Sequence, residues 1–93
     1  MKEQSIQSQI IKYLNSIGAY VVKVTLANRS GVPDILCCID GRFVAIEVKA
    51  KRAATALQKV NLERIQRAGG VGAVAYRLED VQDLVRNIRG KNG

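Results

Sequence analysis

Two acids and a lysine, Asp34, Glu47 and Lys49, flank the most apolar stretch of this 93-residue chain. Residues 34–39 and 42–49 read as strands joined by Asp40-Gly41, and Asp-Gly between apolar runs suits a two-residue type I′ turn. Such a turn sets Ile39 opposite Arg42, Cys37 opposite Val44 and Asp34 opposite Glu47. Opposed residues hold their Cβ atoms ~4.5–5.5 Å apart, and Lys49, two positions beyond Glu47, projects from the same face. Carboxylates so placed repel. Lys49 is one group that offsets them and a divalent cation is another. Mg²⁺ takes a few carboxylate oxygens together with waters and phosphate oxygens, so two carboxylates and a strand-end carbonyl make part of its shell. A cation there polarises a phosphate and acidifies a bound water, and Lys49 can orient that water and stabilise the developing charge. The plainer alternative is a Lys49–carboxylate ion pair that closes a hairpin. It leaves unexplained why two acids oppose each other inside an apolar strand pair. A bulge near Asp34 would turn that side chain to the other face.

The elements that hold this hairpin follow from periodicity and punctuation. Ile6, Ile10, Tyr13, Leu14 and Ile17 recur at helical spacing, giving a helix over about residues 3–17 with Gly18 as its C-cap. Residues 19–26 are β-branched and apolar and read as a strand, followed by a loop over 27–32. One face of the hairpin, with Ile35, Cys37, Ile39, Val44, Ile46 and Val48, is wholly apolar; the other adds Leu36, Cys38, Phe43 and Ala45. Strands apolar on both faces are expected to be central and covered on both sides. Thr55 and Gln58 have the spacing of a capping box. The helix they open, with Leu57, Val60, Ile65 and Ala68 as its apolar face, ends at Gly69-Gly70. Residues 71–77 read as a fourth strand. Leu78, Val81, Leu84, Val85 and Ile88 define a last amphipathic helix, with Gly90–Gly93 as a frayed tail. The order α-β-β-β-α-β-α predicts an α/β fold with a mixed central sheet.

Length fits one domain spanning residues 1–93. Hydrophobic residues make up 47% of the chain, enough for a modest core and marginal stability, which small domains often supplement by oligomerising. The net charge is +7, which suggests a polyanionic partner. No apolar run approaches the ~20 residues of a membrane span, and no secretory h-region follows Met1, so a cytoplasmic protein is expected. Cys37 and Cys38 are neighbours in a strand and point to opposite faces, which opposes a disulfide; both are expected to be buried thiols.

Gly31-Val32-Pro33-Asp34 followed by Glu47-Val48-Lys49 resembles the signature of PD-(D/E)XK nucleases, and more narrowly the VRR-NUC family of small phage and bacterial nucleases. The likeness extends over nearly the whole chain: Gln58 on the following helix, the Gly69-Gly70 stop and the early acid Glu3 also agree. It implies a restriction-endonuclease-like core and a dependence on Mg²⁺ or Mn²⁺. Asp34, Glu47 and the carbonyl of Val48 would be metal ligands, Lys49 the catalytic lysine, and Gln58 an assisting residue. Glu3 would reach the metal through water, although a solvated first-turn acid favouring the helix dipole accounts for it equally. Stand-alone members resemble Holliday-junction resolvases in cutting branched DNA as homodimers, in a bacterial cell or a phage-infected host. The alternatives are a nickase or flap endonuclease without junction preference, and a catalytically silent basic DNA-binding module. No small-molecule cofactor and no membrane partner are implied.

Lys51, Arg52, Lys59, Arg64 and Arg67 follow the motif, and Lys23 and Arg29 precede it. They are candidates for tracking phosphates without reading sequence; the bland alternative is a solvated face. Tyr20 and Tyr76 lie in strands and are expected in the core, and so few aromatics argue against base stacking as the main binding mode.

Overall fold

The Asp40-Gly41 turn has φ +50° and +82° at its two residues, the positive pair that a type I′ turn requires. In a computed structural model that describes residues 1–91, this turn joins β2 (Ile35–Ile39) to β3 (Arg42–Val48). The register is the one the turn dictates, with Ile39 opposite Arg42, Cys37 opposite Val44 and Ile35 opposite Ile46. No bulge intervenes in these pairs. Ahead of the hairpin come α1 (Glu3–Ser16) and β1 (Tyr20–Lys23); after it come α2 (Ala56–Arg67), β4 (Val71–Ala75) and α3 (Leu78–Lys91).

The four strands form one sheet in the order β1-β2-β3-β4. β1, β2 and β3 are antiparallel, and β4 runs parallel to β3 after the crossover through α2. The expected element order and mixed sheet are both present. α1 and α3 cover one face, where Ile6, Ile10, Leu14, Val81, Val85 and Ile88 pack on Ile35, Cys37, Ile39, Val44, Ile46 and Val48. α2 lies on the other face and approaches it closely: a Cβ on Gly72 would sit 2.9 Å from the Leu62 carbonyl oxygen. No helix among the described residues is long and apolar enough to cross a membrane.

Helix ends follow their punctuation. Gly18 takes φ +84°, and the Ala19 N–H reaches back to the Leu14 carbonyl at 3.1 Å. Both halves of the Thr55–Gln58 capping box are formed. Arg89 clamps the far end of the hairpin, donating to Asp40 at 2.9 Å and to the Ile17 carbonyl at 3.0 Å.

Several expectations need correction. The first strand ends at Lys23 rather than 26, and the fourth at Ala75 rather than 77. β1 can pair only as far as β2 runs straight, and the partner chain bends at Asp34. The last helix continues through Gly90 to Lys91, so this part of the predicted tail is helical; Asn92 and Gly93 lie outside the described residues. The sheet is not covered on both sides. α2 lies mainly over β4 and reaches only part of β3, leaving β1, β2 and the start of β3 open, so Tyr20 is 75% and Phe43 48% exposed. Cys38 is exposed as well, whereas Cys37 is buried and both are free. Tyr76 is exposed rather than core, and Leu57 and Val60 are about half exposed, because α2 turns Gln58, Asn61, Leu62 and Ile65 inward instead.

The tight α2–sheet contact gives a stability prediction. Gly72→Ala should lower stability by about 1–3 kcal/mol through forced overpacking against backbone, read as a lower urea midpoint with an unchanged m-value. A midpoint equal to that of the parent would show that α2 can be displaced freely.

Candidate active site

Ile35 opposite Ile46 places Asp34 next in line opposite Glu47. In a two-residue hairpin, pairs alternate between hydrogen-bonded and non-hydrogen-bonded. Ile39–Arg42 is the bonded pair that closes the turn, so Asp34–Glu47 is a non-bonded pair, in which side chains stand closest. One step further the register brings Pro33 opposite Val48. Proline has no N–H, so the ladder bond that the Val48 carbonyl would accept from residue 33 is missing. The Val48 N–H turns instead to the Asp34 carboxylate, donating to Oδ2 at 2.9 Å. The Asp34 backbone carbonyl accepts from the Val24 N–H at 2.8 Å. Asp34 is thus held at both its main chain and its side chain.

Glu47 is only 2% exposed. Its Oε2 accepts from Gln58 Nε2 at 3.1 Å and faces Lys49 Nζ at 3.7 Å. Its Oε1 is buried and has no hydrogen-bond partner. Gln58 has little freedom to turn. Its Oε1 is engaged by the Thr55 N–H at 2.8 Å, as the return half of the capping box, so the amide can offer Glu47 only its NH₂. Helix capping and site construction are therefore the same contact. Glu3, from the first turn of α1, accepts from the Ala50 N–H at 3.3 Å. That places it beside the end of β3 while occupying one of its oxygens.

The electrostatics follow from this placement. Burial, reinforced by the neighbouring Asp34 carboxylate, pushes Glu47 up to about 7 from 4.5; Lys49 pulls it the other way and only partly offsets them. Near neutrality Glu47 thus holds a proton for much of the time, and a cation binding there must displace it. Burial, aided by Cys38, also lifts the Cys37 thiol to about 11, which makes it an inert core group.

The donor set fits a hard divalent ion. It offers a buried, unpartnered carboxylate oxygen on Glu47, a second carboxylate opposite, and a strand-end carbonyl whose ladder partner is proline. No cluster of three or more His, Cys, Asp or Glu exists among the described residues. An ion here would rest on two carboxylates and the carbonyl and would draw its other ligands from water and substrate, as Mg²⁺ prefers.

Lys23, Arg29, Lys51, Arg52, Lys59, Arg64 and Arg67 are all exposed, and none forms an ion pair with a described residue. The arginines on α3 differ: Arg77 pairs with Asp80, Arg86 with Asp83 and Arg89 with Asp40. The unpaired cations among the described residues thus include the motif's neighbours in the chain and those of α2, together with Lys2, Lys12 and Arg42 elsewhere.

One contributor was missed by sequence reasoning. Asn61 is buried on α2 and donates to the Ser30 carbonyl at 3.2 Å and to the Leu57 carbonyl at 3.0 Å. Its only sequence signal is a polar residue one turn after Gln58, on the same helix face.

No family sequence model matches the chain, and no curated protein sequence does. Solved structures do. A protein described as "VRR_NUC domain" superposes with a TM-score of 0.79 at 25% identity, covering 90% of this chain and 94% of its own. Another, "VRR_NUC domain protein", gives 0.76 at 19% identity, covering 92% and 86%. The four-stranded mixed sheet and its three helices are thus those of VRR_NUC domain proteins, and the likeness supports a nuclease of the PD-(D/E)XK type.

The raised Glu47 value makes stability depend on pH in a definite direction. Between about 4.5 and 7 the folded protein keeps a proton that the unfolded chain has released, so folding stability falls as pH rises through that window. With chelator present, the urea midpoint of the parent should drop between pH 5 and pH 8 relative to that of Glu47→Gln. Parallel curves for the two proteins would mean that Glu47 ionises normally.

Proposed function

Because the fold is shared with VRR_NUC domain proteins over about nine-tenths of the chain, we propose that this protein is a divalent-metal-dependent endonuclease that hydrolyses DNA phosphodiester bonds. The observation that carries the reading is the pair of opposed acids, one of them with a buried oxygen lacking any hydrogen-bond donor. The ion pair with Lys49 engages only the other oxygen, Oε2.

Asp34, Glu47 and the Val48 carbonyl hold Mg²⁺ or Mn²⁺ in this reading, and Glu3 reaches it through a water. The bound ion supplies Lewis-acid polarisation of the scissile phosphate and a more acidic attacking water. The chain's own groups do the rest. Lys49 is only 13% exposed at its side chain, so its charge acts with little screening. It orients the attacking water and offsets the negative charge that accumulates on the phosphorus oxygens. Gln58 holds the Glu47 carboxylate with one oxygen directed away from itself. The attacking water bonds through its oxygen to phosphorus and releases a proton to bulk solvent as the P–O bond to the leaving strand end breaks, and the leaving oxygen takes up a proton from solvent.

Lys51, Arg52, Lys59, Arg64, Arg67, Arg29 and Lys23 position the DNA backbone. None of them pairs with an acid among the described residues, which leaves their charges available to phosphates. Two further features belong to the proposal: action on branched DNA, and assembly as a homodimer with one site for each strand. The uncovered apolar face of β1, β2 and the start of β3, lined by Tyr20, Val22, Leu36, Cys38 and Phe43, supports the second. Apolar surface of this kind commonly marks a protein interface, and it carries no cation that would suit a phosphate. The protein would act in the cytoplasm.

The test is a cleavage panel. Labelled four-way junction, flap, duplex and single-stranded DNA are incubated with Mg²⁺, with Mn²⁺ and with chelator. Metal-dependent, paired symmetric nicks in the junction are expected. Equal cutting of every substrate would remove the junction preference, and binding without cutting in any metal would leave a silent DNA-binding module. Lys49→Ala should reduce cleavage at least a hundredfold, in line with loss of a charge-stabilising group, while sparing DNA affinity. A mutant that cuts like the parent would refute the role given to Lys49.

A further inference from the structure

The loop that carries Asp34 lies directly on α2. Gly31 has φ +79°, and a Cβ added there would come within 2.7 Å of Leu57 Cγ and 2.8 Å of Asn61 Nδ2. The Gly31 backbone therefore packs directly on the side chains of Leu57 and Asn61. At this contact Asn61, 8% exposed, donates to the Ser30 carbonyl at 3.2 Å. From Ser30 the path to Asp34 is short and stiff. It runs through Gly31, Val32 and Pro33, whose ring fixes φ and whose side chain is fully buried.

One turn earlier on the same helix, Gln58 holds Glu47 at 3.1 Å. Residues three apart on a helix share a face. A single rigid element thus grips the carrier of each acid: Gln58 the carboxylate of Glu47, and Asn61 the loop that leads into Asp34. The two acids repel, and on the sheet side Asp34 is held by hydrogen bonds from the Val48 and Val24 N–H groups. Those contacts fix Asp34 from the strand side. Asn61 supplies the hold from the loop side.

We propose that Asn61 is a positioning residue that sets the separation of the two acidic side chains, and so the affinity of the site for its metal. The inference rests on the metal-dependent reading given above. Asn61 touches neither ion nor substrate; it acts through the Ser30–Asp34 segment. Groups hydrogen-bonded directly to metal ligands typically change affinity by ~10–100-fold when removed; Asn61 acts at one further remove, so the lower end of that range is expected.

The experiment measures Mn²⁺ binding to the intact protein without DNA, by electron paramagnetic resonance of the free ion. Asn61→Leu keeps the size of the side chain and removes both donors. Gly31→Ala forces the same loop off the helix by another route, and tests the idea if the first variant does not fold. Each should weaken Mn²⁺ binding by about tenfold. Val85→Ala, which opens a cavity beneath α3 on the opposite face of the sheet, serves as the control and should lose stability while keeping metal affinity. Unchanged binding in Asn61→Leu, or an equal loss in Val85→Ala, would overturn the inference while leaving the nuclease reading intact. A parent protein that takes up no Mn²⁺ would remove both.

Discussion

Repulsion between Asp34 and Glu47 is the constraint around which this small domain is arranged. Side chains that face each other in a non-hydrogen-bonded pair of an antiparallel ladder are as close as a sheet allows. Here both are acidic, and Glu47 is almost wholly removed from water. Such a pair separates unless its surroundings prevent it. The apolar interior does so from behind, because Ile35, Ile46 and Val48 are completely buried and fix the register that opposes the acids. A one-residue slip would carry that whole apolar row to the other face of the sheet. Hydrophobic burial, insensitive to the charges themselves, thus maintains an arrangement that electrostatics alone would undo.

Three local devices work on the same problem. Pro33 withholds an N–H from the Val48 carbonyl, while the Val48 N–H donates to the Asp34 carboxylate. The capping box at the start of α2 uses one end of the Gln58 amide for the helix and the other for Glu47. Asn61 ties the loop ahead of Asp34 to the same helix. In each case a group required for local structure also reaches the site, an economy that suits a chain of 93 residues.

How much of this the sequence disclosed depended on whether the cause was local. The hairpin register was legible because Asp40-Gly41 admits few turn geometries, and strand alternation does the rest. The capping box was legible for the same reason. Glu3 was reached only by resemblance, since its contact with the Ala50 N–H depends on where α1 docks. The covering of the sheet was not legible. Tyr20, Cys38 and Phe43 carry the composition of core residues, but α2 covers β4 and only part of β3 on its face. Nothing in a strand's own sequence says whether a helix will lie above it. Asn61 escaped for a related reason: a polar residue on a helix can bond to the carbonyl four residues back, as it does to Leu57, without revealing a second bond across the fold. Metal preference, substrate shape and assembly state lie further still from local causes.

An incompletely compensated site is consistent with the proposed chemistry. Lys49 stands 3.7 Å from Glu47, near enough to attract and too far for a short charge-assisted bond. A tight bidentate pair would have satisfied both acids and left no coordination capacity. The pull of Lys49 instead falls short of restoring Glu47 to its ordinary range, and one oxygen remains without a donor. That residual charge density is what a doubly charged ion with several exchangeable waters can use, and a lysine left partly unengaged can turn toward the charge developing on a phosphate. Folding stability is sacrificed at this point, since a buried acid without a full set of partners is costly. The cost falls at the end of a strand pair whose remaining inward-facing positions are filled with apolar side chains, where the fold can bear it.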